Sequence, residues 1–145
     1  MKKIVCLLLL CILLSGCSNK TLNCEKIDTS LYDMSLKQTL TVKFNGKEVN
    51  NIYMHSVINV SGVYKKYTKI LEESIIEEFK NLKDDKAVEI KSKTDDKKVD
   101  VSIDVDLKNM NEDTKKKISL INTNQSIENA KKELENQGYK CKENS

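Results

Sequence analysis

From residue 35 to residue 44 apolar and polar positions alternate. Leu36, Leu40, Val42 and Phe44 stand against Lys37, Thr39, Thr41 and Lys43, the period of a strand with one buried face. Asn45-Gly46 supplies the two left-handed positions of a tight hairpin turn, and a second strand is expected from about Lys47 to Val60. Inside it the apolar parity changes between Val49 and Ile52, so one extra residue at Asn50-Asn51, a bulge, is needed to restore the inward face. Ser61-Gly62 breaks that strand. Beyond it Val63, Tyr67, Ile70, Leu71, Ile75, Phe79 and Leu82 recur at three- and four-residue spacing, which predicts a long helix with Lys and Glu opposite.

Residues 87–107 read as a second hairpin turning at Asp95-Asp96. Ile90 is expected opposite Val101, Val88 opposite Ile103 and Ser92 opposite Val99, with Lys91 facing Asp100 on the charged side. Thr123 or Asn124 can cap a last helix that lines up Ile127, Ala130 and Leu134, and Gly138 can stop it. Tyr139-Lys140-Cys141 then returns to the sheet. The expected fold is α+β, an antiparallel sheet of four to five strands packed by one long central helix and a short C-terminal helix.

The amino terminus obeys a different pattern. Lys2 and Lys3 precede a run from Ile4 to Leu14 that is almost wholly apolar, followed by Ser15-Gly16-Cys17, the plan of a secretory signal. As a helix the apolar run reaches only ~16 Å, too short for a stable transmembrane span. Leu14-Ser15-Gly16-Cys17 resembles the lipobox of bacterial lipoproteins. That resemblance implies cleavage before Cys17 and a thioether-linked diacylglycerol on its sulfur. Residues 1–16 are then a signal peptide, 17–23 a lipidated cysteine with a short polar tether, and 24–145 a single α+β domain. At ~0.8 kcal/mol per buried methylene, two acyl chains suffice to hold a soluble domain at a membrane.

Processing simplifies the cysteines. Cys6 and Cys11 leave with the signal and Cys17 carries lipid, which leaves Cys24 and Cys141. Outside the cytoplasm two leftover thiols most often form a disulfide. Two free buried thiols or a pair of metal ligands are the other readings, although zinc wants clustered Cys or His and the chain has 1 His. A bridge would close a loop of 118 residues, counting both cysteines. The cysteines are too far apart in sequence for a Cys-x-x-Cys redox motif.

Composition then limits the function classes. The chain of 145 residues has the size of one small domain, and its 25 basic residues are all Lys, balanced by 22 acidic ones. Loss of Lys2 and Lys3 lowers the net charge from +3 to +1, and without a clustered basic face or any Arg, nucleic-acid binding is not expected. Asp100, Asp104 and Asp106 share one strand face and could gather calcium, but neither loop spacing nor turn glycine is present, so a solvated face is the favoured reading. His55 lacks a Gly-x-Ser-x-Gly nucleophile elbow to serve and is read as structural. Glu72-Glu73 and Glu77-Glu78 read as helix-surface ion-pair partners of Lys65, Lys66, Lys69 and Lys80. Lys115-Lys116-Lys117 could touch anionic headgroups but reads more simply as a solvated turn, and Tyr53, Tyr64 and Tyr67 as core rather than as an aromatic binding surface.

The lipobox, the Lys-rich strands around a central helix, and the ending Ile118-Ser119-Leu120 through Ile127 to Leu134 and Gly138-Tyr139 resemble the small YehR-like bacterial lipoproteins. The resemblance implies fold and location and brings no activity with it; the Cys24 and Cys141 pair departs from that pattern. The expected function is a non-enzymatic binding or accessory module. It is lipid-anchored on the extracytoplasmic face of the cell membrane, with an envelope protein as possible partner and no cofactor or metal. The alternative is a cell-envelope enzyme, hydrolase-like, whose site the sequence does not reveal.

Overall fold

The structure is a computed structural model that describes residues 19–30, 32–118 and 121–144. Six strands form one antiparallel sheet: β1 (Asn19–Asp28), β2 (Met34–Asn45), β3 (Glu48–Val60), β4 (Val88–Thr94), β5 (Lys98–Asp106) and β6 (Lys140–Asn144). Their spatial order is β4-β5-β3-β2-β1-β6. A 3-10 segment (Gly62–Tyr67) runs into α1 (Thr68–Glu77), and α2 (Glu112–Lys115) and α3 (Ile127–Asn136) follow β5. The first three strands form a meander. The chain then crosses through α1 to the far edge as β4 and turns back as β5, while α3 carries it over to the other edge as β6.

Alternation decides which face is covered. Leu22 and Cys24 of β1, Leu40, Val42 and Phe44 of β2, Ile52 and Met54 of β3, and Val99, Val101, Ile103 and Val105 of β5 are buried in one cluster. The same cluster takes in Phe79 and Leu82 after α1 and Ile127, Ala130 and Leu134 of α3, so the helices lie on this face. Full burial of each such side chain is worth about 1.5–3 kcal/mol, which makes this layer the main source of stability. The opposite face carries Thr, Asn, Lys and Asp positions and lies open.

The expected bulge is present. Lys43 pairs with Asn51 and Phe44 with Val49, so Asn50 is the extra residue, and its carbonyl accepts from Leu107 N at 2.9 Å. α3 begins one residue after Ser126, whose hydroxyl accepts from Asn129 N at 3.3 Å. Ser126, and not Thr123 or Asn124, is therefore the cap. Ile127, Ala130 and Leu134 face inward as read, and Gly138, at φ 91°, ends the helical run.

Three expectations are corrected. The sheet has six strands and not four to five, because Asn19–Asp28, half of which reads as a tether, is a full strand between β2 and β6. No long central helix forms. The stripe from Val63 to Leu82 is divided among a 3-10 segment, ten α-helical residues and a series of tight turns: Phe79 N to Ile76 O, Leu82 N to Phe79 O and Asp85 N to Leu82 O. Spacing of three and four residues is shared by these geometries, and neither the 3-10 segment nor α1 has a side-chain cap to enforce one regular helix.

The register of the second hairpin also differs. Val88 pairs with Val105, Ile90 with Ile103, Ser92 with Val101 and Lys93 with Asp100. The shift of two residues arises at the turn, where the Asp95 carboxylate accepts from the backbone N of both Lys97 and Lys98 and makes the loop longer. Because the shift is even, every side chain keeps its face.

Candidate functional site

The open face of the sheet can be followed strand by strand from the pairing. Its middle rows set Thr41 beside Tyr53 and Asp104, and Thr39 beside His55 and Ser102. Lys93 and Asp100 lie beyond Val57. Among the described residues, a cluster with the ingredients of acid-base chemistry is found here. His55 Nε2 lies 2.7 Å from Asp100 Oδ1, and Lys98 Nζ donates to Asp100 Oδ2 at 2.6 Å. The Lys98 ammonium first, and the His55 ring second, hold the Asp100 carboxyl below its usual range. A catalytic dyad needs a nucleophile that the imidazole can deprotonate. Ser102 stands opposite His55 in the ladder, but the hydrogen bond His55 makes is to Asp100. The arrangement is an ion-pair cluster on a strand face.

Cys24 and Cys141 are directly opposite one another in the β1–β6 pairing, with Cα atoms 4.0 Å apart and sulfurs at a bonding distance of 1.99 Å. They tie the short C-terminal strand to the sheet. A depression of about 620 Å³ lies along these strands, lined by Asn23, Glu25, Thr39, Thr41, Lys140 and Lys142 among others. Asn23 Oδ1 accepts from Thr41 Oγ1 at 3.0 Å, so part of this lining is already satisfied. On the covered face a second polar group sits inside the core. Gln38 donates to Ser56 Oγ at 3.0 Å and accepts from the Tyr139 hydroxyl. Burial, and then the Glu78 charge, push the Tyr139 phenol up. This trio fixes how β6 and the end of α3 sit on β2 and β3.

No family model matches the chain, and no curated protein matches it. Among solved structures it is similar to the NMR structure of a protein from Streptococcus pneumoniae TIGR4, at 14% identity over 86% of each chain with a TM-score of 0.52. At that identity the likeness concerns the fold alone.

The residues singled out in the sequence are dispersed. Cys17, with Cys6, Cys11 and the rest of the signal segment, lies outside the described residues, as do Ser119 and Leu120 of the C-terminal pattern. Asp100, Asp104 and Asp106 share the open face, but each is engaged separately. Asp104 accepts from Asn51 Nδ2 at 2.6 Å, and Asp106 accepts from Asn109 Nδ2 at 2.7 Å. Among the described residues no three His, Cys, Asp or Glu side chains converge as metal ligands would. Glu77 pairs with Lys80 at 2.7 Å, Lys115 with Glu112 at 2.6 Å and Lys116 with Asp113 at 3.2 Å, all on the surface.

The tyrosines correct the sequence reading. Tyr53 is 38% and Tyr67 40% exposed, so neither is core, and Tyr64 packs at a tilt against Tyr67 with ring centroids 6.3 Å apart. What the sequence concealed is the other end of the molecule. Ser61 donates from both its backbone N and its hydroxyl to Asp33, joining the β1–β2 loop to the start of the 3-10 segment. Tyr32 is 84% exposed, next to Asp33, and Val63 is 68% exposed, two residues beyond Ser61. Only two unusual backbone positions, Asp33 at φ 60° and Gly62 at φ 54°, hint at this junction.

Proposed function

We propose that the chain is an envelope lipoprotein, anchored through lipid on Cys17, whose small sheet domain serves as a non-enzymatic binding or accessory module. The observation that carries the reading is the sequence Leu14-Ser15-Gly16-Cys17 at the end of a short apolar run. Two things support it. The first described residue, Asn19, is already in β1, two positions beyond the lipobox cysteine. The cross-strand Cys24–Cys141 pair suits an oxidising compartment. Among the described residues no helix is long and apolar enough to cross a membrane. The binding role rests on the open polar face and on scattered carboxylates, each engaged separately by Asn51, Asn109, His55 or Lys98.

The test is fractionation of cells expressing the chain and its Cys17→Ser variant. The parent is expected in the membrane fraction and labelled by radioactive palmitate. The variant is expected unlabelled and released from the membrane. Equal membrane association of both, without label on the parent, overturns the reading.

A further inference from the structure

The two edges of the sheet are held differently. β4 packs Val88 and Ile90 against the core, whereas Lys140, Lys142, Glu143 and Asn144 of β6 are exposed, and Cys141, half-buried against the core, is the one side chain of that strand the fold encloses. β6 pairs only with β1, over five residues from Lys140 opposite Glu25 to Asn144 opposite Thr21. A one-sided ladder of water-accessible hydrogen bonds is weak against the entropy of ordering five residues, and the covalent bond from Cys141 to Cys24 is what favours the docked strand. The residues just before β6 are held without it. Leu134 and Tyr139 are buried, the Tyr139 hydroxyl donates to Gln38, and Lys26 donates to the Gln137 carbonyl at 2.9 Å while lying 5.7 Å from the Tyr139 ring centre. A detachment of β6 therefore stops at Tyr139.

β6 is also one wall of the depression of about 620 Å³. Lys140 stands across Glu25 from Thr39, and Lys142 across Asn23 from Thr41, while both cysteines border the same space, so that the bridge is within reach of a thiol from solution. We propose that the Cys24–Cys141 bridge is a redox latch, and that the depression is complete only while the latch is closed. Thiol–disulfide exchange with a dithiol opens it. One thiolate of the dithiol attacks a bridge sulfur, its second thiol resolves the mixed disulfide, and the dithiol leaves as a disulfide with its two hydrogens now on Cys24 and Cys141. β6 then parts from β1, taking Lys140 and Lys142 out of the wall and leaving the outer edge of β1 unpaired, while β1 to β5 and α3 keep their places. Exchange with a disulfide carrier closes the latch again. The depression is thus whole in an oxidising compartment and dismantled in a reducing one. The inference does not depend on lipid at Cys17.

The test is hydrogen exchange, read by mass spectrometry, on the chain from Ser18 onward, which contains every described element. The oxidised chain is expected to protect the amides of β6. After dithiothreitol, with reduction confirmed by a mass gain of two hydrogens, these amides are expected to exchange within about tenfold of an unstructured chain, while those of β2, β3 and β5 stay at least about a hundredfold slower than it. Glutathione disulfide, added after the dithiothreitol is removed, is expected to restore the first pattern. Cys24→Ser/Cys141→Ser is expected to show the open pattern without any reagent and no further change with dithiothreitol. Amides of β6 that stay protected in the fully reduced chain overturn the proposal. So does a reduced chain in which β2, β3 and β5 lose protection together with β6, since the bridge is then a staple of the whole fold and not a latch on one strand.

Discussion

Two glycines at similar backbone angles are under different constraints. Gly46, at φ 62° in the β2–β3 turn, has no atom within 4 Å of where a Cβ would stand. Gly62, at φ 54°, would place that Cβ against the Asp33 carboxylate, which is held there by Ser61. Left-handed backbone costs an L-residue roughly 1–2 kcal/mol by itself. Gly46→Ala is therefore expected to lose about 1 kcal/mol and Gly62→Ala clearly more, as read from urea midpoints. Equal losses would show that the junction between the two loops is not tightly made.

Asp100 sets the pH dependence at the same scale. Its carboxyl is held below the ordinary range by Lys98 and then His55, so the folded state binds its proton less readily than the unfolded chain does. The stabilisation is thus present above the ordinary aspartate value of about 4 and is lost as pH falls through the lower folded value. Asp100→Asn should be less stable than the parent near neutral pH, with the gap closing in the acid limb of a urea-denaturation series. A constant gap down to the acid limit would remove the ion pair as its cause.

At the scale of elements, what could be read depended on how much of the buried face each segment declares. β2 and β5 alternate without interruption at Leu40, Val42 and Phe44 and from Val99 to Val105, and the Asn50 bulge in β3 shows as a break in parity. β1 gives only Leu22 and Cys24 to the core, among Lys, Thr, Asn and Glu, so its first half passes for a polar tether. The failure of the long helix has a different origin. Apolar spacing identifies a face, and 3-10, α and turn backbones present nearly the same face. The hairpin register was set by an Asp95 side chain bonding its own turn, which a count of strand residues does not anticipate. The tyrosine exposures depend on which face the helices cover, and no single segment contains that information.

The C-terminal element makes a sharper prediction. β6 is five residues long, polar and at a sheet edge, and a disulfide joins it to β1. In the chain-entropy model a loop of this size gives at most about 4–5 kcal/mol. Cys24→Ala/Cys141→Ala is expected to lose several kcal/mol, and to expose the amides of β6 in hydrogen exchange before those of β3. Intact mass of the folded, unreduced chain should lack two hydrogens. A full reduced mass would mean that the strand holds by pairing alone.

For the whole molecule, one face of the sheet is sealed by short helices and the other is left polar and accessible. The aspartates of β5 make separate hydrogen bonds to Asn51, Asn109, His55 and Lys98. Under the proposed function such a domain acts by where it is held and what it touches. Its position is therefore the central claim, and Cys17 decides it. The most direct measurement is mass spectrometry of the amino-terminal peptide from the detergent-extracted protein. The account predicts a chain beginning at Cys17 with a diacylglyceryl group on the sulfur. A peptide that begins at Met1, or one that begins elsewhere with an unmodified cysteine, would contradict it.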